Sequence, residues 1–141
     1  MARYIIDTSV LCQYFITQTY TAEAIILIQS AFQDNELFVP EFALAECVNV
    51  FWKYVRFQGL AENTAKEFVQ ELMNLPLQVN LISDLLSNSL EIGLSQSLAI
   101  YDSVYIAMAL DSSYPLITVD VKQANAATAN GVTLKPIIDF S

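Results

Sequence analysis

Apolar residues along the chain alternate between short strand-type runs and longer stretches with the 3.6-residue spacing of a helix. Tyr4-Ile5-Ile6 is the first run. Leu11 to Phe15 and Ala22 to Phe32 then read as helix, with Ala24, Ile25, Leu27, Ile28 and Phe32 on the buried face and Thr21 as N-cap. Asp34-Asn35 breaks the pattern and Leu37-Phe38-Val39 gives a second strand. Pro40 is expected to open a helix through Tyr54, with Glu41 favourably placed in its first turn and Gly59 marking its end. Asn63 caps a helix to about Leu75, which Pro76 ends, and Leu77 to Ile82 alternates as a third strand. Ser83 or Asp84 caps a short helix from Leu85 to Ile92, which Gly93 is expected to stop, and Ser97 to Leu110 forms another helix. Leu116-Ile117-Thr118-Val119 is a fourth strand, Val121 to Ala129 a helix closed by Asn130-Gly131, and Val132-Thr133-Leu134 a fifth strand.

Strand and helix alternate throughout, with few hairpin turns. That order predicts an α/β fold of three layers, α/β/α, around a five-stranded, mainly parallel sheet. A chain of 141 residues fits one domain over residues 1–141. Hydrophobic residues make up 55% and charged residues 15%, against about 25% charged in ordinary soluble domains. The chain therefore has ample material for a core and is not disordered. So apolar a surface predicts burial against a second copy or a partner, and a homodimer is expected. No apolar run approaches the ~18 residues of a membrane span, and Asp7 interrupts the N-terminal run before a signal-peptide core can form. Cys12 and Cys47 have neither metal-binding nor disulfide-framework spacing and read as buried thiols of a reducing compartment, so a cytoplasmic location is expected.

Six Lys and Arg oppose fifteen Asp and Glu, a net charge of -9. Broad nonspecific nucleic-acid binding needs the reverse balance, because cationic side chains drive it by displacing counterions. A narrow substrate is compatible with it.

In an open parallel sheet, ligands bind beyond the carboxyl ends of the strands, where strand order reverses. Asp7 and Asp120 each follow a strand directly. Glu46 lies on a helix with Phe42 and Val50 one turn to either side, and Asp102 precedes Tyr105, Ile106 and Ala109 at helical spacing, so both acids sit on apolar stripes. Buried carboxylates without cations are costly. A hard divalent cation such as Mg²⁺ or Mn²⁺ takes oxygen ligands, and the absence of histidine disfavours zinc. Taken singly, each acid has an ordinary reading: Asp7 and Asp120 as helix caps, Glu46 as a side chain reaching solvent, Asp102 as a first-turn acid. The joint pattern is what points to chemistry.

The blocks Ile5-Ile6-Asp7-Thr8-Ser9-Val10-Leu11, Pro40-Glu41-Phe42-Ala43-Leu44-Ala45-Glu46-Cys47-Val48-Asn49, Ile100-Tyr101-Asp102-Ser103-Val104-Tyr105-Ile106-Ala107-Met108-Ala109 and Leu116-Ile117-Thr118-Val119-Asp120 resemble the PIN domain, and especially the VapC-type toxins of bacterial toxin-antitoxin pairs. The resemblance implies a Mg²⁺- or Mn²⁺-dependent endoribonuclease with Asp7, Glu46, Asp102 and Asp120 as its acidic quartet, leaving a 5′-phosphate and a 3′-hydroxyl. Ser9, Asn49 and Thr118 match polar positions around the family's site and are expected to hydrogen-bond there. RNA is the implied substrate and a short antitoxin the implied protein partner. Where relatives often carry several bases after the fourth acid, Val121-Lys122-Gln123-Ala124-Asn125 supplies only Lys122. Lys53, Arg56 and Lys122 are therefore the candidate RNA contacts.

Two other families fit less well. A haloacid-dehalogenase-like phosphatase needs a second Asp where Ser9 stands, and a response-regulator receiver leaves Glu46 and Asp102 unexplained. The competing function is a catalytically weak PIN-like module that binds RNA or a protein without turnover, for which the shortage of basic residues is the main argument.

Overall fold

The computed structural model describes residues 1–141. Strands β1 (Arg3–Ile6), β2 (Glu36–Pro40), β3 (Gln78–Asn80) and β4 (Leu116–Ile117) form one sheet in the order β3-β2-β1-β4. Every pairing is parallel, with Ile5 opposite both Phe38 and Leu116. Neighbouring residues of a strand face opposite sides, and Ile5 and Ile6 are both buried, as are Leu116 and Ile117. Both faces of the inner sheet are thus covered by helices. These are α1 (Thr8–Phe15), α2 (Thr21–Ser30), α3 (Phe42–Phe57), α4 (Glu62–Asn74), α5 (Leu86–Gln96), α6 (Ile100–Ser112) and α7 (Val121–Ala129). One core of 31 buried apolar residues runs from Ile5 to Ile137.

The expected α/β architecture is present, with differences at its margins. The fifth strand is reduced to one parallel bridge, Leu116 with Leu134, because β4 is only two residues long and offers no further ladder to pair with. Pro40 ends β2 rather than opening a helix, since the following Glu41 N–H still reaches the Asn80 carbonyl, at 3.1 Å. Thr21 and Asn63 lie inside their helices, with Tyr20 and Ala61 at the caps. Gly93 does not stop a helix but lies within α5. A Cβ there would stand 2.8 Å from Ile100 Cδ1 and 2.9 Å from the Leu98 carbonyl oxygen, so the glycine is a packing requirement where α5 turns into α6. Gly131, with φ of +79°, takes the left-handed conformation after α7 that glycine tolerates best.

The sheet order fixes where a site belongs. The chain steps outward from β1 to β2 to β3 and then returns to the other side of β1 with β4. Strand order therefore reverses between β1 and β4, and the crevice beyond their carboxyl ends is the predicted ligand position.

Candidate active site

Asp7 leaves the end of β1 at that crevice and caps α1, its Oδ1 accepting from the Val10 N–H at 3.4 Å. Only 5% of it is exposed. Ser9 donates its hydroxyl to Asp7 Oδ1 and Thr118 donates to Oδ2. Both hydroxyls also accept from the backbone just beyond β4: the Val119 N–H reaches Ser9 Oγ at 3.2 Å and the Asp120 N–H reaches Thr118 Oγ1 at 3.1 Å. Two short relays thus run from consecutive peptide groups to the two oxygens of one carboxylate. Burial nevertheless dominates, pushing the Asp7 carboxyl up to about 6 against these hydrogen bonds, with the charge of Asp120 adding to the rise.

Asp120 is exposed and caps α7, accepting from the Lys122 and Gln123 N–H groups at 2.9 and 3.2 Å. Asp102 stands half-buried in the first turn of α6. Its carboxyl is raised first by burial and then by the charges of Asp120 and Glu46, while Lys122 opposes the rise. Glu46, half-buried on α3, accepts from the Thr8 hydroxyl at 2.7 Å and the Tyr105 phenol at 3.1 Å, both on Oε1.

The four expected acids therefore belong to one electrostatic neighbourhood. Neither salt bridge of the chain, Arg3 with Glu36 or Lys135 with Asp139, involves any of them. No group of three closes into a ready-made cation cage. What they share is a field without a paired counter-charge, and oxygen donors of the kind a hard divalent cation takes.

The polar expectations divide. Ser9 and Thr118 meet Asp7 as described. Asn49 is exposed one turn beyond Glu46 on α3, with its side chain hydrogen-bonded to none of the acids. Lys53 lies two turns beyond Glu46 on the same face and is exposed, as are Arg56 and Lys122. The Arg56 guanidinium packs over the rings of Trp52 and Phe57, 5.6 and 5.4 Å from their centroids. Lys122 is the base whose charge reaches Asp102.

Three residues of the site escape sequence reasoning. Thr8 and Tyr105 hold Glu46. Gln123 is buried and donates its Nε2 to the Asp102 carbonyl at 2.9 Å, tying α7 to the first turn of α6, while its Oε1 is buried without a protein partner. In sequence Tyr105 reads as one more member of an apolar stripe and Gln123 as an ordinary polar helix position, so nothing local marks either as part of the site.

Known proteins share this fold. The chain is 24% identical to Ribonuclease VapC3 of Pyrobaculum aerophilum over 120 residues, covering 84% of this chain and 89% of that protein. Among solved structures, PAE2754 from Pyrobaculum aerophilum superposes with a TM-score of 0.74 at 19% identity, over 98% of this chain and 92% of the other. A toxin-antitoxin complex from Klebsiella pneumoniae contains a chain matching at TM-score 0.62 and 17% identity, over 85% and 88% of the two chains. The PIN domain family matches residues 4–129, from the first strand through the last helix. With that match over most of its length and a parallel sheet in the order β3-β2-β1-β4, the chain belongs to the PIN domain family.

Proposed function

We propose that this chain is a single-domain, Mg²⁺- or Mn²⁺-dependent endoribonuclease of VapC type, the toxin of a cytoplasmic toxin-antitoxin pair. The observation that carries the proposal is the shared field of Asp7, Glu46, Asp102 and Asp120 at the switch point, with no basic side chain ion-paired to any of them. Likeness to Ribonuclease VapC3 supports the reaction, and likeness to a chain of a toxin-antitoxin complex supports the partner.

In this reading the four acids would hold the cation through carboxylate oxygens. When bound, such an ion lowers the pKa of a coordinated water and neutralises charge on the scissile phosphate. The chain supplies the rest. Ser9 and Thr118 fix both oxygens of Asp7, so its carboxylate does not turn as substrate arrives. Lys122, Lys53 and Arg56 offer the local positive charge that could meet an RNA backbone on an otherwise acidic surface. The acidic balance suits an antitoxin with a basic segment. The exposed Leu86, Leu90 and Leu94, spaced four apart on α5, support a homodimer. No helix is long and apolar enough to cross a membrane.

The test is cleavage of a structured RNA pool by purified protein with and without Mg²⁺ or Mn²⁺, alongside Asp7→Asn and Asp102→Asn. Cleavage that needs the metal and disappears in both variants is the expected result. Folded protein that binds metal and RNA yet cleaves nothing would favour the binding module instead, which the scarcity of cations already supports. Failure to bind metal at all would remove the basis of the proposal.

A further inference from the structure

Tyr105 is a core residue with a polar end. Its side chain is 1% exposed on α6, and its ring meets Phe42 of α3 edge to face, with centroids 5.7 Å apart and planes at 81°. Phe42 lies one turn before Glu46 on that helix. Packing alone would be served by phenylalanine, and a hydroxyl so buried is costly unless it is bonded. It is bonded, to two groups: Thr8 Oγ1 at 2.7 Å and Glu46 Oε1 at 3.1 Å.

The protons can be counted. Thr8 has one hydroxyl proton and donates it to Glu46 Oε1 at 2.7 Å. The close contact between Thr8 and Tyr105 must then be the phenol donating, so its proton is shared between Thr8 Oγ1 and Glu46 Oε1. Both hydroxyls act on the same carboxylate oxygen. Glu46 Oε2 receives neither.

We infer that Tyr105, together with Thr8, is a positioning residue that pins Oε1 of Glu46 and so reserves Oε2 for the ligand of the acidic crevice. The inference rests on the ribonuclease reading above and adds the device that aims one of its acids. Three elements meet in it: Thr8 opens α1, Glu46 sits on α3 and Tyr105 on α6. The side chain of a solitary Glu on a helix surface turns freely about its χ angles. Here it is tied to a core ring that Phe42 holds in place.

The experiment compares wild type, Tyr105→Phe, Glu46→Gln and the double variant in Mn²⁺ binding by calorimetry, in kcat and KM for RNA cleavage, and in thermal unfolding. Tyr105→Phe is expected to unfold near the wild-type temperature while losing about 10- to 100-fold in Mn²⁺ affinity and in kcat, with KM for RNA unchanged. In the Glu46→Gln background the same substitution is expected to change nothing further, because it acts through Glu46. Thr8→Val should copy the loss and Thr8→Ser restore it, and this second pair decides between the outcomes if Tyr105→Phe does not fold. Wild-type values for Tyr105→Phe in both Mn²⁺ binding and kcat, or an equal loss in the Glu46→Gln background, overturn the inference. A wild-type chain that neither binds Mn²⁺ nor cleaves RNA overturns the ribonuclease reading, and this inference with it.

Discussion

Thr118 donates its hydroxyl to Asp7 across 111 positions of sequence, joining the residue after β4 to the residue after β1. The same oxygen accepts the Asp120 N–H, so the cap of α7 and the buried acid of α1 are set by one side chain. Thr118→Val removes that link and leaves a buried carboxylate oxygen without its donor. A loss of about 1–3 kcal/mol in stability is expected, together with about a 10- to 100-fold fall in activity. Thr118→Ser, which keeps the hydroxyl, should recover most of both. Denaturant unfolding and cleavage rates on the three proteins check this.

Asp7 carries a cost at neutral pH. Its carboxyl titrates about 6 in the folded chain against an ordinary 3.8, so between those values the folded state holds a proton that the unfolded state has released. The stability it contributes is complete below pH 3.8 and is lost as pH rises through about 6. Asp7→Asn escapes the burial of a charge and should be more stable than wild type by about 1–3 kcal/mol at pH 7.5, with the gap closing below pH 4. Denaturant midpoints of both proteins across that range measure it. Added Mg²⁺ should narrow the gap by favouring the charged wild-type side chain.

Lys122→Ala should weaken RNA binding at every sequence and lower the slope of log affinity against log salt by about one. It should also lift the Asp102 carboxyl further, since the Lys122 charge opposes the rise there. Fluorescence titrations with labelled RNA at several salt concentrations, in a cleavage-deficient background, give the slope.

Gly93→Ala tests a conflict between propensity and packing. Alanine favours a helix interior over glycine by about 1 kcal/mol, but the added carbon would meet a backbone oxygen at 2.9 Å. The clash should win, with a net destabilisation of about 1–3 kcal/mol. A rise in the thermal midpoint would contradict it.

If the proposed homodimer forms through the exposed leucine row on α5, wild type should run as a dimer and Leu90→Glu, at the middle of that row, as a monomer of unchanged helix content. Light scattering coupled to size exclusion, with circular dichroism, reads both.

Sequence patterning reveals the inner sheet because β1, β2 and β4 are short apolar runs; Asp7 follows β1 directly, whereas β4 ends at Ile117 and Asp120 stands three residues beyond it, not directly after the strand as the pattern predicts. It places Val121 to Ala129 as the structure has it, since Asp120 before the helix and Gly131 after it are unambiguous stops. It fails at Gly93, where a glycine between two helical patterns reads as a break until the crowding by Ile100 and Leu98 is known. It assigns Val132 to Leu134 more strand than a two-residue neighbour can pair. Ser9 and Thr118 are expected from the family resemblance, and both meet Asp7. Tyr105 and Gln123 are not expected, because their partners Glu46 and Asp102 lie 59 and 21 positions away and nothing local marks the pairing. Asn49 is suggested by resemblance alone and stays at the surface.

The pairing of β4 with β1 also sets an order in time. Asp7 and Thr118 stand 111 positions apart, so in folding the carboxylate meets this donor only once β4 has found β1. Until that last strand settles against Ile5 and Ile6, Asp7 lacks Thr118. Closure of the sheet and completion of the donor set around Asp7 are therefore one event, and a chain that stalls before β4 pairs holds this carboxylate with the Ser9 hydroxyl as its one side-chain donor.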